Sequence, residues 1–597
     1  MSEEKEKKSW IKRMAGGLDF RLMSLLMPYL KQYKKLIWIS LLTMLLADIL
    51  GASVPLFIKR VIDTSIAQND LGDLYRTVTL LAVALFLSFV FRVIANYGVA
   101  YLGQKLLFAL RKDLFQKVLS LANDFFDRVP TGTTLTHVTN DVENVRQFIS
   151  EGIVAVISGI TKVVIIMIFM FYINAYLALV TLACIPLFAI STYWFKTRIR
   201  SGFREVRKAN SDINTKMVES LNGYREIALF QNRKVSEARF DVSNDKYLNA
   251  YHVIVGAYAL YLPIIENITH LSTLVILLSA SFGMGAKIEP GDIFAFFTLI
   301  NMFFRPLREV AEQFNTFQSA MAAMERIEKL LEENVAIASP PKPQTPQLGE
   351  SVAVDFHQVD FAYIEGQNVL EGLNFSLKPG EKLALVGSTG SGKSTIIHLI
   401  NRLYDVNKGR VSLNGVDVRD WDLQTLREQV ATIPQHVFLF TGTILDNIRL
   451  FDESIGTKEV QKAIDDLELN DFIDSLPGGL DYEVLEEGSA LSNGQKQLLA
   501  FARAYVKNPA LLILDEATAS VDSSTEKQLE QAQGKLLATR SAIIIAHRLS
   551  TIQSADRILV LNHGHISESG KHEELIQANG LYRKLYEMQS ISLSVGV

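Results

Sequence analysis

Apolar residues in this chain gather into six long runs over roughly its first half and into short runs over the rest. The long runs lie near 36–58, 77–101, 152–173, 175–195, 257–282 and 291–312. At roughly 20 residues each, they are long enough to cross a bilayer as helices. A tight turn around Asn174 separates the third run from the fourth. Long polar stretches separate the second from the third and the fourth from the fifth. Both stretches are helical in pattern and rich in bases: Lys105, Arg111, Lys112 and Lys117, then Arg198, Arg200, Arg204, Arg207 and Lys208. The opposite connections, around 64–75, 174 and 283–290, carry few bases. The positive-inside rule therefore puts the N-terminus, both long stretches and the C-terminal half in the cytoplasm. Lys59 and Arg60, just past the first run, go against the rule and are outnumbered. Core helices of a large soluble protein would not share this asymmetry.

Beyond the sixth run, FNTFQSAMAAMERIEKLLEE has apolar residues at helical spacing and is predicted to extend the last span into the cytoplasm. Ser339-Pro-Pro-Lys-Pro-Gln-Thr-Pro346 cannot be helix and marks a linker. Past it, VAVDFHQVDFAY, KLALVG, LLILDEA, SAIIIAH and RILVLN alternate with helical segments, the pattern of a parallel sheet with crossover helices. The expected division is a cytoplasmic segment over 1–35, a six-span membrane domain over 36–333, a linker over 334–350 and an α/β domain over 351–597. The opening MSEEKEKKSWIKRM lacks the short apolar core and small-residue cleavage site of a signal peptide.

Composition sharpens this picture. Mean hydropathy is positive, +0.18, while 21% of residues are charged, as expected of an apolar membrane part joined to a polar soluble part. A net charge of −4 and a pI near 6.3 argue against nucleic acid as a partner. Cys184 is the one cysteine, so the chain can form neither an internal disulfide nor a four-thiolate metal cluster. It sits in an apolar run and reads as a small buried hydrophobe.

The chemistry lies in the α/β part. Gly387-Ser388-Thr389-Gly390-Ser391-Gly392-Lys393-Ser394 is a complete phosphate loop between the strand KLALV and the helix that continues through Thr395. Its glycines let backbone N–H groups turn toward phosphate oxygens, and the helix start adds a favourable dipole. Lys393 is expected to pair with the terminal phosphates, and Ser394 to ligate Mg²⁺. The expected ligand is thus ATP with Mg²⁺. The strand LLIL ends in Asp515 and Glu516. Asp515 would hold Mg²⁺ through water, and Glu516 would orient and polarise the attacking water.

Leu491-Ser492-Asn493-Gly494-Gln495 lies between these two motifs and resembles the signature sequence of ABC (ATP-binding cassette) ATPases. The resemblance implies that Tyr363 stacks on adenine, that Gln435 senses Mg²⁺, and that Asp522, in Ser520-Val-Asp522, crosses the dimer interface. It implies that His547 contacts the γ-phosphate, and that Ser492, Asn493, Gly494 and Gln495 reach the nucleotide of a partner cassette. In the membrane half, Phe125-Phe-Asp-Arg-Val-Pro-Thr-Gly132 and Thr139-Asn-Asp-Val142 look like the first cytoplasmic loop of the family's exporters. Glu219-Ser-Leu-Asn-Gly223 with Ile227 and Phe230 looks like the second. The fold class implied is an all-α six-helix transmembrane domain with long cytoplasmic helical extensions, plus an α/β P-loop NTPase cassette.

The function implied is ATP-driven export or leaflet flipping of hydrophobic or amphipathic substrates, drugs or lipids, across a bacterial plasma membrane. The alternative is an ATP-gated channel or a regulatory member, which an intact Glu516 and His547 disfavour. One cassette per chain implies a dimer of half-transporters. Asn493 stands where the usual signature has glycine, which leaves both a homodimer and a heterodimer open. Charged groups at bilayer depth are costly. Arg92, Lys162, Glu266 and His270 are therefore candidates for a substrate cavity, with Asp48 nearby in the first span. Salt bridges between helices are the competing reading of the same residues.

Overall fold

A computed structural model describes residues 20–281, 288–344, 346, 349, 351–515, 523–545 and 552–595. The described chain forms two compact units. One comprises 20–119 and 131–332; the other comprises 120–130 and 333–595.

The first unit is built from long helices. The segment Lys34–Ile66 is interrupted at Ser53, where Pro55 cannot donate to the helix ladder. Leu71–Ser120, Thr131–Ile173, Ala175–Asn222 and Arg233–Ser281 follow, and Pro290–Glu332 is the sixth. Among the described residues, five helices are long and apolar enough to cross a membrane. The sixth holds Asp292, Asn301 and Arg305 within its apolar run, and so is less hydrophobic. It continues unbroken through the amphipathic stretch to Glu332. The turn at Asn174 has a plain cause. Its backbone is extended (φ −157°, ψ 108°), and its side-chain oxygen accepts from Tyr176 N at 3.1 Å and Leu177 N at 3.2 Å. It caps the next helix while ending the last.

The two bases that defied the positive-inside rule are neutralised. Lys59 meets Asp292 at 2.5 Å and Glu289 at 3.6 Å, and Arg60 meets Asp73 at 2.8 Å. Cys184 is a free thiol in the apolar core with Ile166, Met170, Leu177, Phe188 and Phe303.

The second unit has twelve strands among the described residues. In chain order these are β1 Val354–Phe361, β2 Leu370–Leu377, β3 Lys382–Gly387, β4 Lys408–Leu413, β5 Val416–Asp417 and β6 Val430–Ile433. Then come β7 Gly442–Thr443, β8 Glu483–Val484, β9 Leu511–Asp515, β10 Ser541–Ile545, β11 Arg557–Asn562 and β12 His565–Gly570. The central sheet runs β12-β11-β3-β10-β9-β6 and is parallel except at its β12 edge. The run VAVDFHQVDFAY does not join it. As β1 it pairs antiparallel with β2 and β4 in a separate sheet. The difference is visible in the pattern: it mixes polar and apolar positions, as a half-buried antiparallel strand does, whereas β3, β9 and β10 are nearly all apolar.

Those three strands are covered on both faces. Leu383, Leu385, Leu511, Ile513, Ile543 and Ile545 point into a core shared with β1, β2, β4 and Trp421. Ala384, Val386, Leu512, Leu514, Ala542 and Ile544 point into a second core, with Leu498, Leu499 and Ala502. Successive side chains alternate between the two cores, as the period of a strand requires. Only the strand ends remain for chemistry.

Leu385→Ala would leave a cavity in the core that also holds Trp421 and should cost ~2–5 kcal/mol. Trp421 is the one tryptophan in this unit, the others being Trp10, Trp38 and Trp194. The urea midpoint of the change in Trp421 emission should fall accordingly.

Candidate nucleotide site and the membrane charges

The site is assembled at the C-terminal end of β3. The chain leaves the strand through Ser388–Gly392 and enters the helix Lys393–Ile400. Gly390 (φ 80°) and Gly392 (φ 103°) take left-handed backbone that side chains disfavour. Gly387 is required for a different reason: a Cβ there would lie 2.3 Å from the Leu561 carbonyl oxygen on β11. The loop closes on its own lysine. Lys393 Nζ donates to the carbonyls of Gly387 and Ser388 at 2.8 Å each, with Ser391 Oγ at 3.4 Å. Burial pushes this amine below its ordinary pKa, and the charge of Asp515 opposes that shift.

Ser394 and Asp515 line one cavity of about 430 Å³, together with Thr432, Pro434, Arg427 and Lys507. A hydroxyl and a carboxylate are the oxygen donors that magnesium takes, so the residues present fit that ion. Among the described residues no three His, Cys, Asp or Glu gather into a metal site. A cation here would therefore depend on phosphate oxygens as well. Gln435 follows Pro434 and is exposed.

Tyr363 lies just past β1. Its ring is 40% exposed and stands edge-on to Phe361 at 4.8 Å and Tyr404 at 5.1 Å. Its hydroxyl lies 3.1 Å from Thr395 Oγ1, which brings this aromatic beside the phosphate loop.

Ser492 caps the helix Asn493–Lys507. Its Oγ accepts from Gln495 N at 3.3 Å, and Gln495 Oε1 accepts from Ser492 N at 2.9 Å, a reciprocal capping box. Asn493 is the first helical residue, exposed, with ordinary helical backbone. Glycine's conformational freedom is not needed there. Glu516, Asp522 and His547 lie outside the described residues.

Sequence reasoning missed a buried network behind the signature helix. Arg503 donates to the carbonyls of Phe438 and Asn447 at 2.7 Å each and to Asn447 Oδ1 at 2.9 Å. Asn447 in turn donates to the carbonyls of Phe440 and Thr443. The network fixes the segment after Gln435 to the helix that carries the signature. Burial pushes the Arg503 pKa down to about 10. Its one sequence signal is Asn447 between Ile444 and Ile448 on a short helix.

In the membrane unit, two of the four cavity candidates come together. Asp48, 3% exposed, accepts from Arg92 Nη2 at 3.2 Å and Ser158 Oγ at 3.0 Å, with Lys162 Nζ at 3.8 Å. They line a cavity of about 260 Å³ with Glu151 and Glu309. Glu266 and His270 are not part of it. They lie one turn apart and exposed on the helix Arg233–Ser281.

Comparison with known proteins agrees with this geometry. The sequence matches the family description "ABC transporter transmembrane region" over 37–307 and "ABC transporter" over 370–519. It is 33% identical over 569 residues to an uncharacterized ABC transporter ATP-binding protein of Bacillus subtilis, covering 94% of each chain. A probable multidrug resistance ABC transporter ATP-binding/permease protein of the same organism is 35% identical over 510 residues, 84% of this chain and 75% of that one. The ATP-dependent lipid A-core flippase of Idiomarina loihiensis is 32% identical over 99% of both chains. Among solved structures, a bacterial Atm1-family ABC exporter with ATP bound superposes with a TM-score of 0.76 and 26% identity, covering 93% of this chain and 98% of that one.

Gly387→Ala should displace the loop from Leu561 at a cost of ~1–3 kcal/mol, which, if it falls on the bound state, is a loss of affinity of about five- to 150-fold. Titration with a fluorescent ATP analogue checks it. Asp48→Ala would leave Arg92 and Lys162 facing each other without their anion, destabilising the membrane unit by ~3–5 kcal/mol. The expected readout is a lower aggregation temperature in detergent than for Lys162→Ala.

Proposed function

The chain belongs to the ABC transporter family, and on that premise we propose an ATP-driven exporter of hydrophobic or amphipathic molecules, drugs or lipids. It works as a dimer of half-transporters, multi-pass in a bacterial plasma membrane with its ATPase domain in the cytoplasm. The observation that carries this reading is the end of β3. A phosphate loop curls around Lys393, with Ser394 and Asp515 facing one cavity, in a chain that also holds a six-helix membrane unit. A relative named as a multidrug resistance protein and another named as a lipid A-core flippase support drug and lipid equally.

In this reading Lys393 pairs with the terminal phosphates of ATP and Tyr363 stacks on adenine. Ser394, Asp515 and Gln435 hold Mg²⁺, which when bound neutralises charge developing on the phosphate oxygens. Glu516 orients the attacking water, and His547 contacts the γ-phosphate. Ser492, Asn493, Gly494 and Gln495, with Asp522, complete the nucleotide site of the partner chain. Asn493 sits at the first turn of a fully capped helix, where its side chain strains nothing. That supports a competent signature, and hence a homodimer as readily as a heterodimer. Arg92 and Lys162 serve first to neutralise Asp48, because a buried carboxylate needs partners whatever the substrate.

Glu516→Gln should lower ATP turnover about a hundredfold or more while leaving ATP binding within about twofold, since it removes water activation and no phosphate contact. Phosphate release and nucleotide titration on the same preparation check this. Undiminished turnover would remove Glu516 from the mechanism.

A further inference from the structure

Past Lys393, Ser394 and Thr395, the helix Lys393–Ile400 carries one polar side chain, His398, among isoleucines and leucines. Its imidazole is partly buried. His398 follows Thr395 by three residues, so the two side chains share one face of the helix. The Tyr363 hydroxyl stands over that face, 2.9 Å from His398 Nδ1 and 3.1 Å from Thr395 Oγ1. Burial lowers the pKa of His398, so the ring is uncharged at neutral pH. Burial also pushes the Tyr363 phenol up, so it keeps its proton. A neutral imidazole has one donor nitrogen and one acceptor nitrogen. Whichever role Nδ1 takes, the phenol takes the other. The Thr395 hydroxyl can serve as either and completes the chain.

A phenol oxygen lies on the axis about which its ring spins. Holding that oxygen fixes where the axis points and leaves the spin free. Neighbouring rings set the spin. Phe361 stands edge-on to Tyr363 at 4.8 Å and Tyr404 at 5.1 Å, with planes at 88° and 90°. Tyr404 is itself pinned: its hydroxyl accepts from Asn123 Nδ2 at 2.6 Å and donates to Asp127 Oδ2. The flanking rings thus oppose the spin of Tyr363, while His398 and Thr395 oppose its swing. With 40% of its surface exposed, Tyr363 presents a fixed plane before any ligand arrives.

We propose that His398 is a positioning residue that preorganises Tyr363 as the surface for the base of ATP. The inference rests on the reading of Tyr363 as the aromatic on which adenine stacks. Ordering a side chain on binding costs affinity, and an anchored ring is ordered already. Without His398, the phenol keeps a single bond, to Thr395, and its axis can swing about that bond. His398 also lines the cavity that holds Ser394 and Asp515, so its loss could act on the phosphate end instead. A ligand with phosphates and no base separates the two.

The test uses the full-length protein in lipid nanodiscs. Mg-ATP and Mg-tripolyphosphate are each titrated in competition with a fluorescent ATP analogue. His398→Leu fills the space without a polar atom. It should weaken ATP binding about three- to tenfold, the worth of one hydrogen bond or one ordered side chain, and leave tripolyphosphate within about twofold. His398→Asn keeps a polar atom near the place of Nδ1 and should hold ATP affinity within about twofold of the unaltered protein. Tyr363→Phe should match His398→Leu, and the double variant should be no weaker than either, because both changes remove the same bond. Full ATP affinity in His398→Leu, an equal loss for tripolyphosphate, a loss in His398→Asn as large as in His398→Leu, or additive losses in the double variant would overturn the proposal. Tyr363→Ala tests the stacking reading by itself. Undiminished ATP affinity there would overturn that reading and the anchor with it. A loss there, with none in His398→Leu, would remove His398 alone.

Discussion

The structure of the ATPase unit depends on β3 being buried on both faces. Leu383 and Leu385 enter one core, Ala384 and Val386 the other, and β10 and β11 flank the strand on either side. Such a strand has no free edge and no free face. Its C-terminal end is the one place where the backbone can meet a ligand. The close approach of Leu561 leaves no room for a side chain at Gly387, the last residue of the strand. Burial thus fixes where the loop begins, and the left-handed glycines fix how it turns. The same logic places Asp515, which ends β9 two strands away in the same sheet.

Much of this was legible in the sequence because its causes are local. A continuous apolar run followed by a glycine-rich turn names the strand, the loop and the helix together. The capping box at Ser492 and Gln495 and the turn at Asn174 also span only a few residues. The relations that escaped were long-range. Asn123 and Asp127 meet Tyr404 across more than 270 residues, and Arg503 reaches Asn447 from a different helix. No periodicity announces such pairs. The assignment of VAVDFHQVDFAY to the parallel sheet failed on a legible point. Its polar positions marked a strand with one partly solvated face, which the central sheet cannot accommodate.

Two clusters in the membrane unit pair their charges. Asp48 is held by Arg92, Lys162 and Ser158, and Lys59 by Asp292 and Glu289. The sixth helix is the least apolar partly because it carries Asp292, the acidic partner of a base 233 residues earlier. Hydropathy read segment by segment counts that carboxylate against the span. Read as a pair, the two charges cancel. Lys59 and Arg60 remain an exception to the positive-inside rule, which counts bases and not net charge, but each has an acidic partner in the structure.

Charge pairing differs in the phosphate loop, with a different consequence. Lys393 is a buried cation whose nearest hydrogen-bond acceptors are neutral carbonyls of its own loop. Neutral acceptors stabilise an ammonium less than anionic ones do. Burial accordingly lowers the pKa of the amine, and only the charge of Asp515 counters it. The lysine is thus held in place but poorly neutralised. Incoming phosphate oxygens would supply the missing charge without requiring the loop to find its shape, because the carbonyl contacts already hold that shape. Affinity is gained twice: ordering is not repeated on binding, and an undercompensated cation finds its anion. A loop that was floppy, or whose lysine was already paired with a carboxylate, would lose one of those two gains.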